Sequence, residues 1–121
     1  MTEELPPQLQ HQILQLQQIQ QQLELLTIRR RQLEGELKET ERAISELEKL
    51  EPNTVVYKFI GAILAQVNKD KLVEELKDKK ETLEMQIKVV QRQEERTRSQ
   101  LKELRDKIQQ ALAKRGSKVA G

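Results

Sequence analysis

The chain has 121 residues, with 22 Lys and Arg against 20 Asp and Glu for a net charge of +2, and it contains no cysteine. Charges of both signs are mixed along it, so no strong field exists to recruit nucleic acid or an anionic membrane, and disulfides and thiolate metal sites are excluded. One Tyr, one Phe and no Trp leave too little bulk for an ordinary globular core, so the length is read as one elongated domain built on a narrow helical seam.

From the amino terminus, Pro6 and Pro7 disfavour helix before them and suit the first turn of a helix after them. A first helix is expected over about residues 7–50, without internal proline and with Gly35 costing about 1 kcal/mol relative to Ala. Pro52 ends it. A second helix opens at Asn68 or Asp70, both good N-caps, and is expected over about 69–114, where Lys114 and Arg115 suit the carbonyl end of the helix dipole. Residues 116–121 read as a frayed, flexible tail. No apolar run approaches the ~20 residues that span a bilayer. The start also lacks the basic-then-apolar layout of a secretion signal, so the protein is expected to be soluble and intracellular.

Steps of three and four recur along both helices. The first ladder is Leu16, Ile19, Leu23, Leu26, Arg30, Leu33, Leu37, Thr40, Ile44, Leu47, and the second is Leu76, Lys80, Leu83, Ile87, Val90, Glu94, Thr97, Leu101, Leu104, Ile108. A mean spacing of about 3.5 residues is that of a coiled-coil seam. When the chain is folded back on itself, the numbers of opposed rungs sum to 123 or 124 throughout. A register shared over ten rungs implies one antiparallel helical hairpin. Arg30 falls opposite Glu94, an expected seam ion pair that adds a few tenths of a kcal/mol and sets register.

Between the helices, residues 54–67 form the chain's only stretch rich in β-branched and aromatic residues, and Gly61 suits the first central position of a type II′ turn. A β-hairpin is expected with Ile60 opposite Ile63, Phe59 opposite Leu64, Tyr57 opposite Gln66 and Val56 opposite Val67. One face carries Val56, Ile60, Ile63 and Val67, and the other carries Val55, Phe59 and Leu64. Both are apolar. Two isolated strands are marginal in water and their edges invite further strands. Each such side chain left wet forgoes roughly 1.5 to 3 kcal/mol, so obligate assembly through strand pairing is expected.

The run Val56, Tyr57, Lys58, Phe59, Ile60, Gly61, followed by Leu64 and the helix start from Asn68 to Leu76, resembles prefoldin. The likeness covers nearly the whole chain. The single hairpin between two arms is similar to the β-type subunit of the archaeal kind, whereas the α-type carries two hairpins. What the resemblance implies is a mainly α fold, a long antiparallel two-helix coiled coil joined by a central β-hairpin that oligomerises into a β-barrel platform. Val55, Val56, Tyr57, Phe59, Ile60, Gly61, Ile63, Leu64 and Val67 then form the oligomerisation hairpin. It also implies a cytoplasmic hexamer of two α-type and four β-type subunits that needs neither ATP nor another cofactor. Such a complex holds unfolded polypeptides at the coiled-coil tips, prevents their aggregation and delivers them to a group II chaperonin.

Between Leu5 and Gln22 the chain carries nine glutamines and no charged side chain. The ladder places its next rung at Gln12, yet the apolar residue is Ile13, so the seam is expected to slip there. Leu5, Leu9, Ile13 and Leu14, with Leu112 and Val119 from the second helix, are then the client-binding candidates, because an uncharged surround lowers the desolvation cost of laying an apolar segment beside them. The competing explanation is a supercoil adjustment near a fraying end. Lys114, Arg115 and Lys118 are candidates for docking on an acidic chaperonin surface, against the simpler reading of a dipole complement and soluble tail.

Other features carry little chemistry. Arg29, Arg30 and Arg31 point about 100° apart on a helix and form no phosphate patch. His11 has no Cys, Asp or Glu at ligand spacing, so no metal is expected. Met85 is expected to pack on the helix flank. No Gly-rich phosphate loop, nucleophile with a nearby base or metal motif appears, which argues against an enzyme. Two rival readings are a structural coiled-coil oligomerisation spacer without client binding, and a nucleic-acid-binding arm like those of some synthetases, which would need a continuous basic stripe.

Overall fold

The computed structural model describes the backbone of residues 5–120 and the side chains of residues 5–116. In chain order the elements are α1 (Pro7–Lys49), β1 (Val56–Ile60), β2 (Ile63–Val67) and α2 (Lys69–Ala120). Two long helices thus flank a two-stranded antiparallel hairpin. The chain divides into two compact units, one taken from α1 up to Arg29 and from α2 beyond Val89, the other from Arg30–Val89.

Local chemistry explains where the elements begin and end. At the start of α1, the Pro6 carbonyl accepts from Gln10 N at 3.0 Å, and Gln10 Nε2 reaches back to the Leu5 carbonyl at 2.7 Å. After Lys49 the ladder of helical bonds tightens, with Leu50 N donating to the Leu47 carbonyl at 3.2 Å. Thr54 then closes the turn around Pro52 by donating to the Glu51 carbonyl from both N, at 3.1 Å, and Oγ1, at 2.8 Å. Of the two expected caps, Asn68 is the one used. Its Oδ1 accepts from Lys71 N at 3.0 Å, satisfying one of the orphan donors at the helix start.

The far end of α2 differs from expectation. Helix continues to Ala120, through the segment read as a tail from Gly116. A single glycine costs only about 1 kcal/mol in a helix, and no proline follows to stop it.

Every rung of the two ladders is buried or half-buried. In the unit of residues 30–89 the buried apolar side chains are Leu33, Ile44, Leu83 and Ile87, joined by Val56 from β1. Thr40 is also buried there, and it satisfies its hydroxyl by donating to the Glu36 carbonyl at 2.8 Å. Lys77 and Glu48 link the two helices of this unit at 3.3 Å. In the other unit Leu9, Val90, Leu101 and Ile108 are buried together with Thr97 and Glu94. Of the apolar residues off the ladders, Leu25, Ile28 and Val89 are left exposed. Met85, expected to pack on the flank, is exposed, because its position on α2 falls between the rungs Leu83 and Ile87 and turns away from the seam.

Candidate binding surfaces

The hairpin register is Val56↔Val67, Tyr57↔Gln66, Lys58↔Ala65, Phe59↔Leu64 and Ile60↔Ile63, as the sequence pattern requires. Gly61 has φ of 60°, and no other described residue has positive φ. A type I′ turn needs positive φ at both central residues, whereas type II′ needs it only at the first, so Gly61 and Ala62 form the latter. A side chain added at Gly61 would meet nothing within 4 Å. The demand for glycine is therefore one of backbone conformation alone.

The two faces of this hairpin are unequal. On one, Val56 is only 7% exposed and Val67 is half-buried. The same face carries Lys58, whose Nζ lies 2.7 Å from Glu75 Oε2 on α2, so it is seated on its own unit. Lys69 Nζ adds a bond to the Leu50 carbonyl at 2.8 Å, tying the start of α2 to the end of α1. On the opposite face Val55, Tyr57, Phe59 and Leu64 are all exposed, Phe59 by 73% and Leu64 by 55%. Ile60 and Ile63, beside the turn, are exposed as well. On the face shared by Val56, Ile60, Ile63 and Val67 the chain's own cover therefore reaches only the base, and the half next to the turn stays open. Val56 is buried within its own unit, where β1 begins. Among the described residues the sheet has two strands only, so the outer backbone edge of each faces no further strand of the chain.

At the end of the helix pair that carries the termini, the candidate residues separate. Leu14 is 57% exposed and Leu112 is 43% exposed, while Leu5 and Ile13 are half-buried. Leu9 is buried at 4%, against the expectation that it belongs to an exposed set. Its position explains this, since the ladder continued by its own steps runs from Leu16 through Gln12 to residue 9, and Leu9 takes the rung. Lys114 is exposed and Arg115 half-buried. Val119 and Lys118 lie outside the described side chains.

A polar cluster interrupts the seam. Glu94 is 1% exposed, and its Oε2 accepts from Thr27 Oγ1 at 3.1 Å and from Arg98 Nη2 at 3.5 Å. Arg30 belongs to the other unit and is held there by Glu34 at 2.9 Å. Sequence reading missed Thr27 and Arg98 as partners of Glu94. The signal for Arg98 was its i, i+4 spacing, and for Thr27 its place beside the rung Leu26.

Among the described residues no cluster of three or more His, Cys, Asp or Glu could hold a metal ion, and no helix is long and apolar enough to cross a membrane.

Comparison with known proteins agrees with this architecture. The family model described as "Prefoldin subunit" matches residues 10–115. A prefoldin subunit beta of Methanosarcina acetivorans is 46% identical over 112 residues, covering 93% of this chain and 96% of the relative. One from Archaeoglobus fulgidus is 46% identical over 110 residues, covering 91% and 95% respectively. The crystal structure of the prefoldin beta subunit from Thermococcus strain KS-1 superposes with a TM-score of 0.84 at 41% identity, over 92% of this chain and 97% of that one. With sequence and fold in agreement over nearly its full length, the chain belongs to the prefoldin subunit family, and its role is that of a chaperone subunit working within a hetero-oligomer.

Proposed function

We propose that the chain acts as a β-type subunit of a cytoplasmic hexamer of two α-type and four β-type subunits, and that it holds unfolded polypeptides without nucleotide chemistry of its own. The observation that carries the assembly reading is the open face of the hairpin, where Phe59, Leu64, Tyr57 and Val55 offer apolar surface beside unpaired strand edges. Strand pairing with neighbouring subunits covers both at once, building a β-barrel platform.

Client capture falls to Leu14 and Leu112, with the half-exposed Leu5 and Ile13, set among uncharged glutamines. Each contact is weak, so several subunits act together and release remains easy. The held chain then passes to a group II chaperonin, with Lys114 supplying an exposed positive charge for docking. A passive spacer is the poorer reading, because family membership gives the chain a chaperone role.

A refolding assay tests capture. The complex containing the chain suppresses aggregation of a diluted, denatured client, and Leu14→Ser with Leu112→Ser reduces that suppression while leaving assembly intact. Unchanged suppression by the double variant refutes the assignment of these residues.

A further inference from the structure

Beyond the exposed leucines, the unit that carries the termini has a shallow groove of about 580 Å³ lined in part by Gln15, Gln18, Gln22 and Gln100. Ile19 and Leu104, both rungs of the seam, form its apolar part. The two charged residues that line it, Glu103 and Lys107, are opposite in sign and one turn apart on α2. The groove is therefore neutral and rich in amides. Among the described residues, none of the four glutamine side chains takes part in a hydrogen bond with the chain itself.

From this geometry we infer that the groove binds the backbone of an extended, uncharged polypeptide segment through its glutamine amides. The inference rests on the capture reading above and names the chemistry recognised. Each amide carries two donors and one acceptor oxygen, which is the complement of a peptide group that lacks its own secondary-structure partner. Gln15, Gln18 and Gln22 follow one another on one face of α1 at steps of three and four, spanning ~10.5 Å at ~1.5 Å per residue. That length matches about three residues of extended chain at ~3.3 Å each.

A row of amides over such a length meets N–H and C=O groups whatever the side chains are. Its neutrality favours neither acidic nor basic segments. Burying a neutral amide against a peptide also costs far less desolvation than burying a charged side chain would. Backbone recognition gives a physical reason why nine glutamines, rather than the charged residues common elsewhere on these helices, fill residues 5–22. A compact protein has its peptide groups already paired, so the same groove discriminates against folded chains.

The test uses the full chain and a fluorescent, uncharged peptide of Ser, Ala, Val and Thr, beside the same peptide N-methylated at alternate residues to remove backbone donors. Fluorescence anisotropy is expected to show the unmodified peptide binding roughly tenfold more tightly. Gln15→Met with Gln18→Met and Gln22→Met keeps side-chain length and helix preference but removes the amides. It should bring both peptides to equal affinity with the far-ultraviolet circular dichroism unchanged.

Equal binding of the two peptides to the unsubstituted chain overturns the inference, as does a methionine variant that still discriminates between them. Should the variant fail to fold, the comparison of peptides on the unsubstituted chain decides. A chain that does not discriminate but still suppresses client aggregation loses backbone recognition alone. A chain that neither binds peptide nor suppresses aggregation loses the capture reading as well.

Discussion

Replacing Phe59 and Leu64 together by threonine should cripple assembly while leaving the chain's own fold nearly untouched. The two residues face each other across the hairpin and are 73% and 55% exposed. Full burial of such side chains is worth roughly 1.5 to 3 kcal/mol each. About three quarters of that remains to be gained at Phe59 and about half at Leu64, so a neighbouring subunit that covers both recovers roughly 2 to 4 kcal/mol per copy. At about 1.4 kcal/mol for each factor of ten, the double variant should associate about 30- to 700-fold more weakly.

Within the chain itself the loss is one cross-strand pair, about 0.2 to 1 kcal/mol, and threonine keeps the preference for extended backbone. Sedimentation velocity across a concentration series, with the chain alone and mixed with an α-type subunit, reads the association. A thermal melt followed by circular dichroism reads the fold. Val56→Ala provides the converse: this side chain is already buried within its unit, so its truncation should lower the melt by the loss of two methyl groups, about 1 to 2 kcal/mol. A Phe59 and Leu64 variant whose mass distribution matches the unsubstituted chain at every concentration would refute the assignment of this face to subunit contact.

The two central glycines should respond oppositely to alanine. Gly61→Ala meets open space but must hold positive φ, costing about 1 to 2 kcal/mol, whereas Gly35→Ala, also in open space and within α1, should stabilise by about 1 kcal/mol; paired thermal melts measure both. Asn68→Ala removes the oxygen that accepts from Lys71 N and should cost about 1 kcal/mol in a denaturant titration. Thr27→Val removes a hydroxyl donor from the buried Glu94 carboxylate and should cost roughly 1.5 to 3 kcal/mol. Thr27→Ser, which keeps the hydroxyl, should recover most of it, and a melt unchanged by either substitution would show that this bond contributes nothing.

Much of the fold was legible because its two periods are geometric. A repeat near 3.5 residues puts one stripe on each helix, and a period of two fixes the hairpin pairing once Gly61 and Ala62 are placed at the turn. Which face of the hairpin the chain itself covers was not legible, because both faces are apolar in sequence. Only packing, with Val56 buried and Lys58 reaching Glu75, separates them. The burial of Leu9 was legible in principle. The ladder pattern passes through Gln12 to residue 9, but the apolar Ile13 drew attention to a slip instead. How far α2 runs past Lys114 is not legible in the sequence, because one glycine without a following proline weakens a helix only modestly, and the helix continues to Ala120. Arg98 and Thr27 are not legible around Glu94, since a pattern of rungs does not show the neighbours that reach across to them.

The chain's apolar residues divide into those spent on folding and those left over. The rungs and Val56 are spent, whereas Phe59, Leu64, Leu14 and Leu112 remain in water. These two sets, among the exposed apolar residues, differ in what they ask of a partner. On the hairpin, exposed side chains sit beside strand edges of fixed register, so a partner must present a strand in one alignment to gain both apolar burial and backbone bonds. Such demands suit permanent neighbours. Leu14 and Leu112 lie on helices whose backbone bonds are satisfied within α1 and α2, and they offer only small, undirected gains of about 1 kcal/mol each when covered. A gain of that size holds nothing singly, yet summed over several subunits it retains a disordered chain and lets it go again. On the proposed assignment, the same sequence can therefore be an obligate building block at its hairpin and an unselective, reversible host at its terminal end, and the difference follows from whether backbone hydrogen bonds are still available where the apolar groups are exposed.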